Sequence, residues 1–220
     1  MTEINKNILS SELTKEKLIN EGIKLFALHG INGVRTRQLA ENAGVNQSAI
    51  PYHMGGKLGV YTAVIRKIAT ELARESNVEI FDSQFTQIRT QSQCDAQKAE
   101  MLIKLLMNGL SRALLAPERE YYSVLILREQ LEPTENAEII FNEFIAPFHV
   151  RLSDLVQFIT HHDKQTAIII AHALIGQILG FVIARKSVLK RLEKRELDPS
   201  LIEQISEQIN ILACRAIITQ

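Results

Sequence analysis

Residues 36–61, TRQLAENAGVNQSAIPYHMGGKLGVY, constrain the fold of this chain more than any other stretch. Two short segments of helical character flank Gly44, with a small residue, Ala40, before it and an apolar residue, Ile50, after it. A helix-turn-helix needs these three residue types, because its two helices meet steeply across a tight turn. Gly44 can adopt the positive φ that such a reversal often requires. The pattern therefore predicts two helices joined by a glycine turn.

Capping side chains predict where these two helices begin. Thr36 and Asn46 carry short side-chain oxygens that can accept from the free N–H groups of an opening turn, so we expect them to be the N-caps. The second helix is then expected over residues 47–53. Pro51 lies one position too deep in it to be a harmless first-turn proline, which indicates a brief helix or a 3₁₀-like ending.

The second helix of such a module can enter the major groove of DNA, where each base pair shows a distinct pattern of donors and acceptors. Gln47, Ser48 and Ala49 are the expected base-contacting residues, since glutamine matches adenine, serine suits several bases and the alanine methyl can touch a thymine methyl. Other residues are placed to contact phosphates, which set register and affinity rather than sequence preference. These phosphate contacts are Thr36, Arg37, Tyr52, His53 and Lys57. Two surface helices without a DNA-binding role are the alternative, because the Ala-x3-Gly-x5-Ile spacing alone is a moderate signal.

Residues 14–61 resemble the DNA-binding domain of the tetracycline-repressor (TetR/AcrR) family. That family has a long first helix, a T-x-x-x-I-A second helix, an A-G-V turn and a Y-H-F-x-x-K-x-x-L-Y exit, and the matching segments here read TRQLAENAGV and YHMGGKLGVY. Met54 stands where the family usually has Phe, and Val60 where Leu is common. Both replacements are apolar at expected packing positions, so the resemblance holds.

Three further segments resemble the C-terminal domain of the CecR (YbiH-like) subgroup of this family. They are REQLEPT at residues 128–134, the F-x-x-F-I-x-P-x-H run at residues 141–149, and ALIGQILGFVIARKSVLKRL at residues 173–192. The resemblance thus spans nearly the whole chain. It implies a repressor linked to small-molecule or drug-tolerance genes.

Composition is consistent with a two-part protein. The 220 residues include 46% hydrophobic residues, which suffices for a small domain and a larger one, and the formal net charge is zero. A neutral chain cannot coat DNA through charge alone, so specific binding by a dimer is expected. The first segment has no apolar signal core, and Cys94 and Cys214 form neither a disulfide framework nor a metal-ligand spacing. A reducing cytoplasm is therefore expected, with inert thiols favoured over a redox pair.

Beyond residue 61 the apolar spacing stays helical. Residues 136–160 follow that spacing with an expected kink at Pro147, and their phenylalanines fit a core better than a cofactor groove. Residues 166–184 are apolar enough to span a membrane, but His172 and Gln177 would be costly there, so a buried helix between subunits is favoured. The last helix is expected to begin at Asp198 and Pro199. These two helices predict an antiparallel pair that forms a homodimer interface.

Polar residues inside apolar helical runs are the candidate effector contacts, because a ligand pocket is mostly apolar with a few polar anchors. They are Asn108, Arg128, Glu129, His172 and Gln177. Structural ion pairs are the alternative for Arg128 and Glu129, and a core or interface histidine is the alternative for His172. A metal at His161 and His162 is disfavoured, since a loop ending in an Asp163 N-cap explains them better. The basic run at residues 185–195 fits a cationic helix end and a solvated linker better than a second DNA contact.

The sequence therefore predicts an all-α protein with a three-helix helix-turn-helix DNA-binding domain at residues 1–61 and a larger helical bundle for ligand binding and dimerisation at residues 62–220. We expect a cytoplasmic, ligand-responsive transcriptional regulator that needs no cofactor and is not an enzyme. It would be a repressor released from a palindromic operator by a small, largely apolar molecule, with activation as an open alternative. A helical small-molecule binding protein or enzyme without DNA binding is the competing class, although no catalytic constellation supports it.

Overall fold

The computed structural model describes residues 3–90 and 95–218, with side chains described from residue 9 onward. Those residues form twelve α-helices and no strand. The helices are α1 (Glu3–Gly33), α2 (Thr36–Ala43), α3 (Ala49–Met54), α4 (Lys57–Glu75), α5 (Val78–Arg89), α6 (Ala96–Leu115), α7 (Glu120–Leu131), α8 (Ala137–Ile140), α9 (Ala146–Thr160), α10 (Lys164–Ile183), α11 (Arg185–Arg191) and α12 (Pro199–Ile218). A 3₁₀ turn spans Pro117–Arg119, and a π-helical turn spans Phe141–Ile145. The predicted all-α fold is confirmed.

The chain divides into two compact units. Unit 1 comprises Met1–Ala69 together with Tyr121–Ile140, and unit 2 comprises Thr70–Glu120 together with Phe141–Gln220. The chain leaves unit 1 within α4, returns at the start of α7 and leaves again after α8. The predicted functional division at residue 61 stays a prediction.

Unit 1 is built on α1, which packs against α2 and α3. Its helical path breaks at Gly30, whose φ of 67° a residue with a Cβ would rarely adopt. The largest fully buried side chains of the unit are Leu18, Phe26, Leu39, Ile50, Ile65 and Ile68. Because α4 repeats its apolar residues every three or four positions, one face of it is buried from Val60 onward, as its spacing predicts.

Unit 2 is centred on α6, which packs against α5, α9, α10 and α12. The ring centroids of Phe81 and Phe85 lie 5.0 Å apart, and the Phe158 ring meets the Phe85 ring edge-on at 5.6 Å. Gly109 allows α6 to approach the chain just after α4, since a Cβ there would lie 2.6 Å from the carbonyl oxygen of Ser76. The core of unit 2 therefore lies around one central helix.

Several predicted helix ends are confirmed. The carboxylate of Asp198 accepts from the N–H of Leu201 at 2.9 Å, and α12 begins at Pro199. Asp163 caps α10, accepting from the N–H groups of Gln165 and Thr166 at 2.9 and 3.1 Å. The interruption near Pro147 is also present, as a π-helical turn that ends just before this residue.

Two packing expectations need correction. α12 packs mainly against α6 and α10 mainly against α9, so α10 and α12 meet over only a short stretch. The basic run is not a solvated linker throughout, because Arg185 begins the short helix α11, is buried and donates to the carbonyl oxygen of Leu115 at 3.2 Å. Among the described residues, α10 alone is long and apolar enough to cross a membrane by length and composition.

Candidate nucleic-acid interface

The turn between α2 and α3 has the predicted glycine geometry. Gly44 has a φ of 62°, and its N–H donates to the carbonyl oxygen of Glu41 at 3.1 Å. The next residue, Val45, donates to the carbonyl oxygen of Ala40 at 3.0 Å. These bonds satisfy carbonyl groups that the end of α2 would otherwise leave unpaired, so the chain reverses tightly towards α3.

The starts of both helices differ from the prediction. Thr36 is the first residue of α2 rather than its N-cap, because Arg35 occupies that position without a side-chain bond. The Thr36 hydroxyl instead accepts from the Gln47 amide at 3.3 Å. At the second helix, the side chain of Asn46 accepts from the backbone N–H and the hydroxyl of Ser48, both at 3.0 Å. Asn46 thus stabilises a turn that precedes α3.

Pro51 fits α3 without the penalty that its sequence position suggests. The helix begins at Ala49, two residues later than predicted, so Pro51 lies in its first turn, where N–H groups have no helical acceptor. The helix has only six residues, which confirms that it is brief. It ends at Gly55, whose φ is 70° and whose N–H donates to the Pro51 carbonyl oxygen at 3.2 Å.

The expected base-contacting residues lie at the start of this second helix. Gln47 and Ser48 are exposed in the turn before α3, and Ala49 is half-buried as its first residue. Ile50 is fully buried and anchors the helix to unit 1. This arrangement leaves the polar side chains of the N-terminal end available to a groove, which is the end that helix-turn-helix proteins use for base contacts.

The expected phosphate-contacting residues lie in or near α3, and their side chains make different kinds of contact within the chain. Arg37 is exposed and pairs with Glu41 at 2.7 Å. Tyr52 is 84% exposed and lies edge-on to His53, with ring centroids 4.7 Å apart. The Nδ1 atom of His53 lies 3.1 Å from the Ser11 hydroxyl.

Lys57, another expected phosphate contact, also has a structural bond. Its ammonium donates to the carbonyl oxygen of Val34 at 3.0 Å, which ties the first turn of α4 to the segment before α2. Because an ammonium has three donors, this bond leaves two for other acceptors. Lys57 can therefore hold the module together and still contact a phosphate.

A buried polar network in unit 1 was not predicted. The phenol of Tyr61 donates to the Glu129 carboxylate, which also accepts from the backbone N–H of Thr134 at 3.0 Å. The Thr62 hydroxyl donates to the Asn136 side chain at 2.7 Å. Burial raises the pKa of the Tyr61 phenol above its ordinary value, and the neighbouring Glu129 carboxylate raises it further. These bonds tie the middle of the chain to α4.

The structure divides the candidate effector contacts between the two units. Arg128 and Glu129 lie in unit 1, where Arg128 donates to the Ala27 carbonyl oxygen at 3.2 Å and Glu129 belongs to the network above. These contacts are hydrogen bonds within unit 1 rather than the ion pairs expected as the alternative to effector contacts. Asn108, His172 and Gln177 lie in unit 2, and each occupies a different environment there.

The environments of the three unit 2 candidates differ in hydrogen bonding. The Asn108 side-chain oxygen accepts from the Asn210 side-chain amide at 2.8 Å, and both residues line a groove of about 1270 Å³. The exposed His172 ring lies 5.4 Å from the His149 ring. The Gln177 side-chain oxygen is buried and has no hydrogen-bond partner among the described residues. The structure therefore does not gather the five candidates into one site.

Of the two cysteines, the structure describes Cys214 alone. Cys214 is a half-buried free thiol, and burial followed by the Glu100 carboxylate raises its pKa, which disfavours the reactive thiolate. Cys94 lies outside the described residues. Within the ranges 3–90 and 95–218, no group of three or more metal-ligating side chains is present.

Two short helices joined at a left-handed glycine, with a buried anchor and exposed polar residues, form a helix-turn-helix joined to a larger helical unit. The comparisons with known proteins agree with this class. A model described as bacterial regulatory proteins, tetR family, matches residues 18–64. A model of the C-terminal domain of the HTH-type transcriptional dual regulator CecR matches residues 99–217. The chain therefore belongs to the TetR family of regulators, in the CecR subgroup.

Individual relatives support the same assignment. The HTH-type transcriptional dual regulator CecR of Shigella flexneri is 28% identical over 203 residues, which cover 91% of this chain and 90% of that protein. The regulator SrpR of Pseudomonas putida is 32% identical over 60 residues, covering 27% of this chain and 28% of that protein. The crystal structure of the TetR-family regulator PfmR of Thermus thermophilus matches with a TM-score of 0.61 and 14% identity, covering 90% and 97% of the two chains.

The family assignment carries the general function. The chain is a ligand-responsive DNA-binding transcriptional regulator. Members of the family bind operator DNA as dimers and respond to effector ligands. The expected class of protein, its DNA-binding role and its helix-turn-helix are thus confirmed.

Proposed function

We propose that this chain is a repressor that binds a palindromic operator through α3 and is released by a small, largely apolar molecule. The observation that carries the proposal is the arrangement of α3, where Ile50 is buried while Gln47 and Ser48 are exposed at the N-terminal end. A helix held in this way can enter a major groove with its polar residues facing the base edges.

Base and phosphate contacts have separate proposed roles. Gln47, Ser48 and Ala49 read bases, because they lie at the N-terminal end of the recognition helix. The residues proposed to contact phosphates are Thr36, Arg37, Tyr52, His53 and Lys57. Their loss lowers affinity for all sequences alike, since phosphates carry no sequence information.

The proposed dimer uses exposed faces of α10 and α12. Ile169 is 60% exposed, and a Cβ added at Gly176 or Gly180 would have no atom within 4 Å in this chain. Leu212 on α12 is 53% exposed. A helix that combines exposed isoleucines with small residues can be approached closely by a second copy. Two copies would present their α3 helices to half-sites about 34 Å apart, one helical turn of DNA.

Effector binding is proposed to act through the dimer. A ligand favours the arrangement that it binds better, and it shifts the equilibrium only by that difference in affinity. Asn108, His172 and Gln177 are the unit 2 candidates for polar contacts to it, with Arg128 and Glu129 as candidates in unit 1. Because the family consists of transcriptional regulators, we propose that the protein acts in the cytoplasm and has no enzymatic role.

Selection of bound fragments from genomic DNA tests the proposal. The recovered site should be a palindrome, and Lys57→Ala should weaken binding to it while Lys17→Ala, an exposed lysine on α1, should not. Compounds that release the site would then identify the effector. Recovery of no preferred sequence by a correctly folded protein would count against the proposal.

A further inference from the structure

A groove in unit 2 runs between α6 and α12 and has a volume of about 1270 Å³. Glu75, the last residue of α4, and Pro117 of the 3₁₀ turn also line it. Ile202 and Ile211 contribute apolar surface from α12. The groove is therefore large enough for a small organic molecule, and these isoleucines can contact an apolar part of that molecule.

Unsatisfied acceptors lie at this groove. Asn210 is only 6% exposed, and its amide nitrogen donates to Asn108, but its side-chain oxygen has no donor among the described residues. A smaller hollow of about 470 Å³ adjoins the groove, with Lys104 and Asn108 common to both. The buried side-chain oxygen of Gln84 there also has no donor in the part of the chain that the structure describes. Because buried polar atoms are nearly always hydrogen-bonded, the unpaired Asn210 oxygen at the groove favours a ligand that brings an N–H donor.

The charge of the groove favours the same kind of ligand. Its lining has four carboxylate side chains against two basic ones. Glu75 is paired with Arg119, and Lys104 is paired with Glu100 and also interacts electrostatically with Glu207. Glu203 and Glu207 are four residues apart on α12, where like charges repel each other on one helix face. A cation bound between them would remove this repulsion.

From these observations we infer that the α6–α12 groove binds a largely apolar molecule that carries a protonated amine. Its ammonium group lies between Glu203 and Glu207 and donates to the Asn210 side-chain oxygen, while its apolar part contacts Ile202 and Ile211. The inference rests on the proposed function only in treating this molecule as the effector, because the binding site itself is argued from the groove.

One ion pair of α4 lies at the groove. The Arg119 guanidinium pairs with Glu71 at 2.5 Å and also with Glu75. Glu75 lines the groove as well, so one of these ion pairs lies at the proposed site. Both glutamates belong to α4, the helix that begins at Lys57 beside the helix-turn-helix. A molecule that fills the groove therefore contacts α4 itself.

The proposed dimer leaves this groove open. Each residue turns about 100° around a helix axis, so Leu212, nine positions after Glu203, points about 180° away from it. A second copy seated on Leu212 would cover the opposite side of α12. Ligand binding and dimerisation can therefore occur together.

Calorimetry on the full chain without DNA tests the site, with 4-phenylbutylamine as the probe and 4-phenylbutan-1-ol as its neutral control of matched shape. The amine should bind at least about tenfold more tightly than the alcohol, because only the ammonium makes charge-assisted hydrogen bonds. The double variant Glu203→Gln/Glu207→Gln should bind the amine about tenfold more weakly. The control double variant Glu132→Gln/Glu196→Gln removes the same charge from exposed residues outside the groove and should bind as the unaltered chain does.

Three results would overturn the site: no binding of the amine at millimolar concentration, equal binding of amine and alcohol, or equal loss in both double variants. The comparison of amine with alcohol uses the unaltered chain, so it does not depend on the variants folding. A chain that binds the amine as expected but selects no DNA would leave the site intact and reject the proposed repressor. A chain that selects DNA but fails these tests would reject only the site.

Discussion

The phenol of Tyr61 on α4 donates a 2.5 Å hydrogen bond to the carboxylate of Glu129 on α7, a residue 68 positions later in the chain. Both side chains are 2% exposed, so water cannot replace either partner of this hydrogen bond while unit 1 stays folded. The Thr134 hydroxyl and backbone N–H also donate to Glu129. A segment from the middle of the sequence is thereby made part of the unit that holds the helix-turn-helix.

Removing the phenol should destabilise unit 1. Tyr61→Phe leaves a buried carboxylate with one donor fewer, so we expect the free energy of unfolding to fall by about 1–3 kcal/mol. Urea unfolding followed by circular dichroism measures this change. Tyr121→Phe is the matched control, since Tyr121 is 36% exposed and its substitution should change stability by less than about 0.5 kcal/mol. Equal stability of Tyr61→Phe and the unaltered chain would show that the bond contributes nothing.

The stability of unit 2 should depend on pH through His149. Burial lowers the pKa of His149, and the neighbouring His172 lowers it further, so the folded state binds a proton less readily than the unfolded state. His149 therefore contributes stability above its unfolded pKa of about 6.5 and loses it as pH falls below that value, with a slope of at most about 1.4 kcal/mol per pH unit.

Unfolding measured between pH 7.5 and 5 in the unaltered chain, His149→Gln and His29→Gln tests this dependence. The first substitution should flatten the loss of stability on acidification. The second, at an exposed position on α1, should leave the pH dependence of the unaltered chain in place. Identical profiles for all three proteins would exclude His149 as the cause.

Replacement by alanine should have different effects at Gly59 and at Gly176. A Cβ at Gly59 would lie 1.6 Å from the carbonyl oxygen of Met54, so Gly59→Ala must displace α4 from the end of α3. We expect Gly59→Ala to lose DNA binding and to melt at a lower temperature. Gly176→Ala should keep the stability of the single chain, because nothing lies within 4 Å of its Cβ position. Normal folding of Gly59→Ala would contradict this close approach of α3 and α4.

A charge on the exposed face of α10 should separate the proposed dimer. Ile169 is 60% exposed, and Ile169→Glu would place a carboxylate in the interface without altering the core of unit 2. Light scattering should find the variant monomeric at micromolar concentration and the unaltered chain dimeric. Ile80→Glu, at a position on α5 that is 51% exposed, is the control and should remain dimeric. A dimeric Ile169→Glu would place the interface elsewhere.

Local features of the fold could be predicted because each depends on neighbouring residues. Gly44 was expected to take a positive φ, and Asp198 with Pro199 was expected to open the last helix, and both are confirmed. The sequence predicts the start of α3 two residues early, because Asn46 fits a helix cap, whereas in the structure it stabilises a turn before the helix. A cap and a turn use the same side-chain bond, so the sequence alone did not separate them.

Contacts between distant residues could not be predicted. The sequence indicates Glu129 as an effector contact because it is polar within an apolar helix, and the same pattern fits a buried hydrogen-bond acceptor for Tyr61. No periodicity links residues 61 and 129. The partners of Arg119 and Asn108 could not be predicted for the same reason. Each contact joins residues that lie far apart in the chain.

Fluorescence anisotropy with the selected DNA site measures whether α3 binds DNA sequence-specifically. The unaltered chain should bind that site at least about 10³-fold more tightly than a scrambled duplex at physiological salt. Gln47→Ala should lose about 1–3 kcal/mol of this preference, while the control Gln87→Ala on α5 should retain it. Equal affinity of the unaltered chain for the two duplexes, or an unchanged preference in Gln47→Ala, would contradict the proposed role of α3 and its first residues.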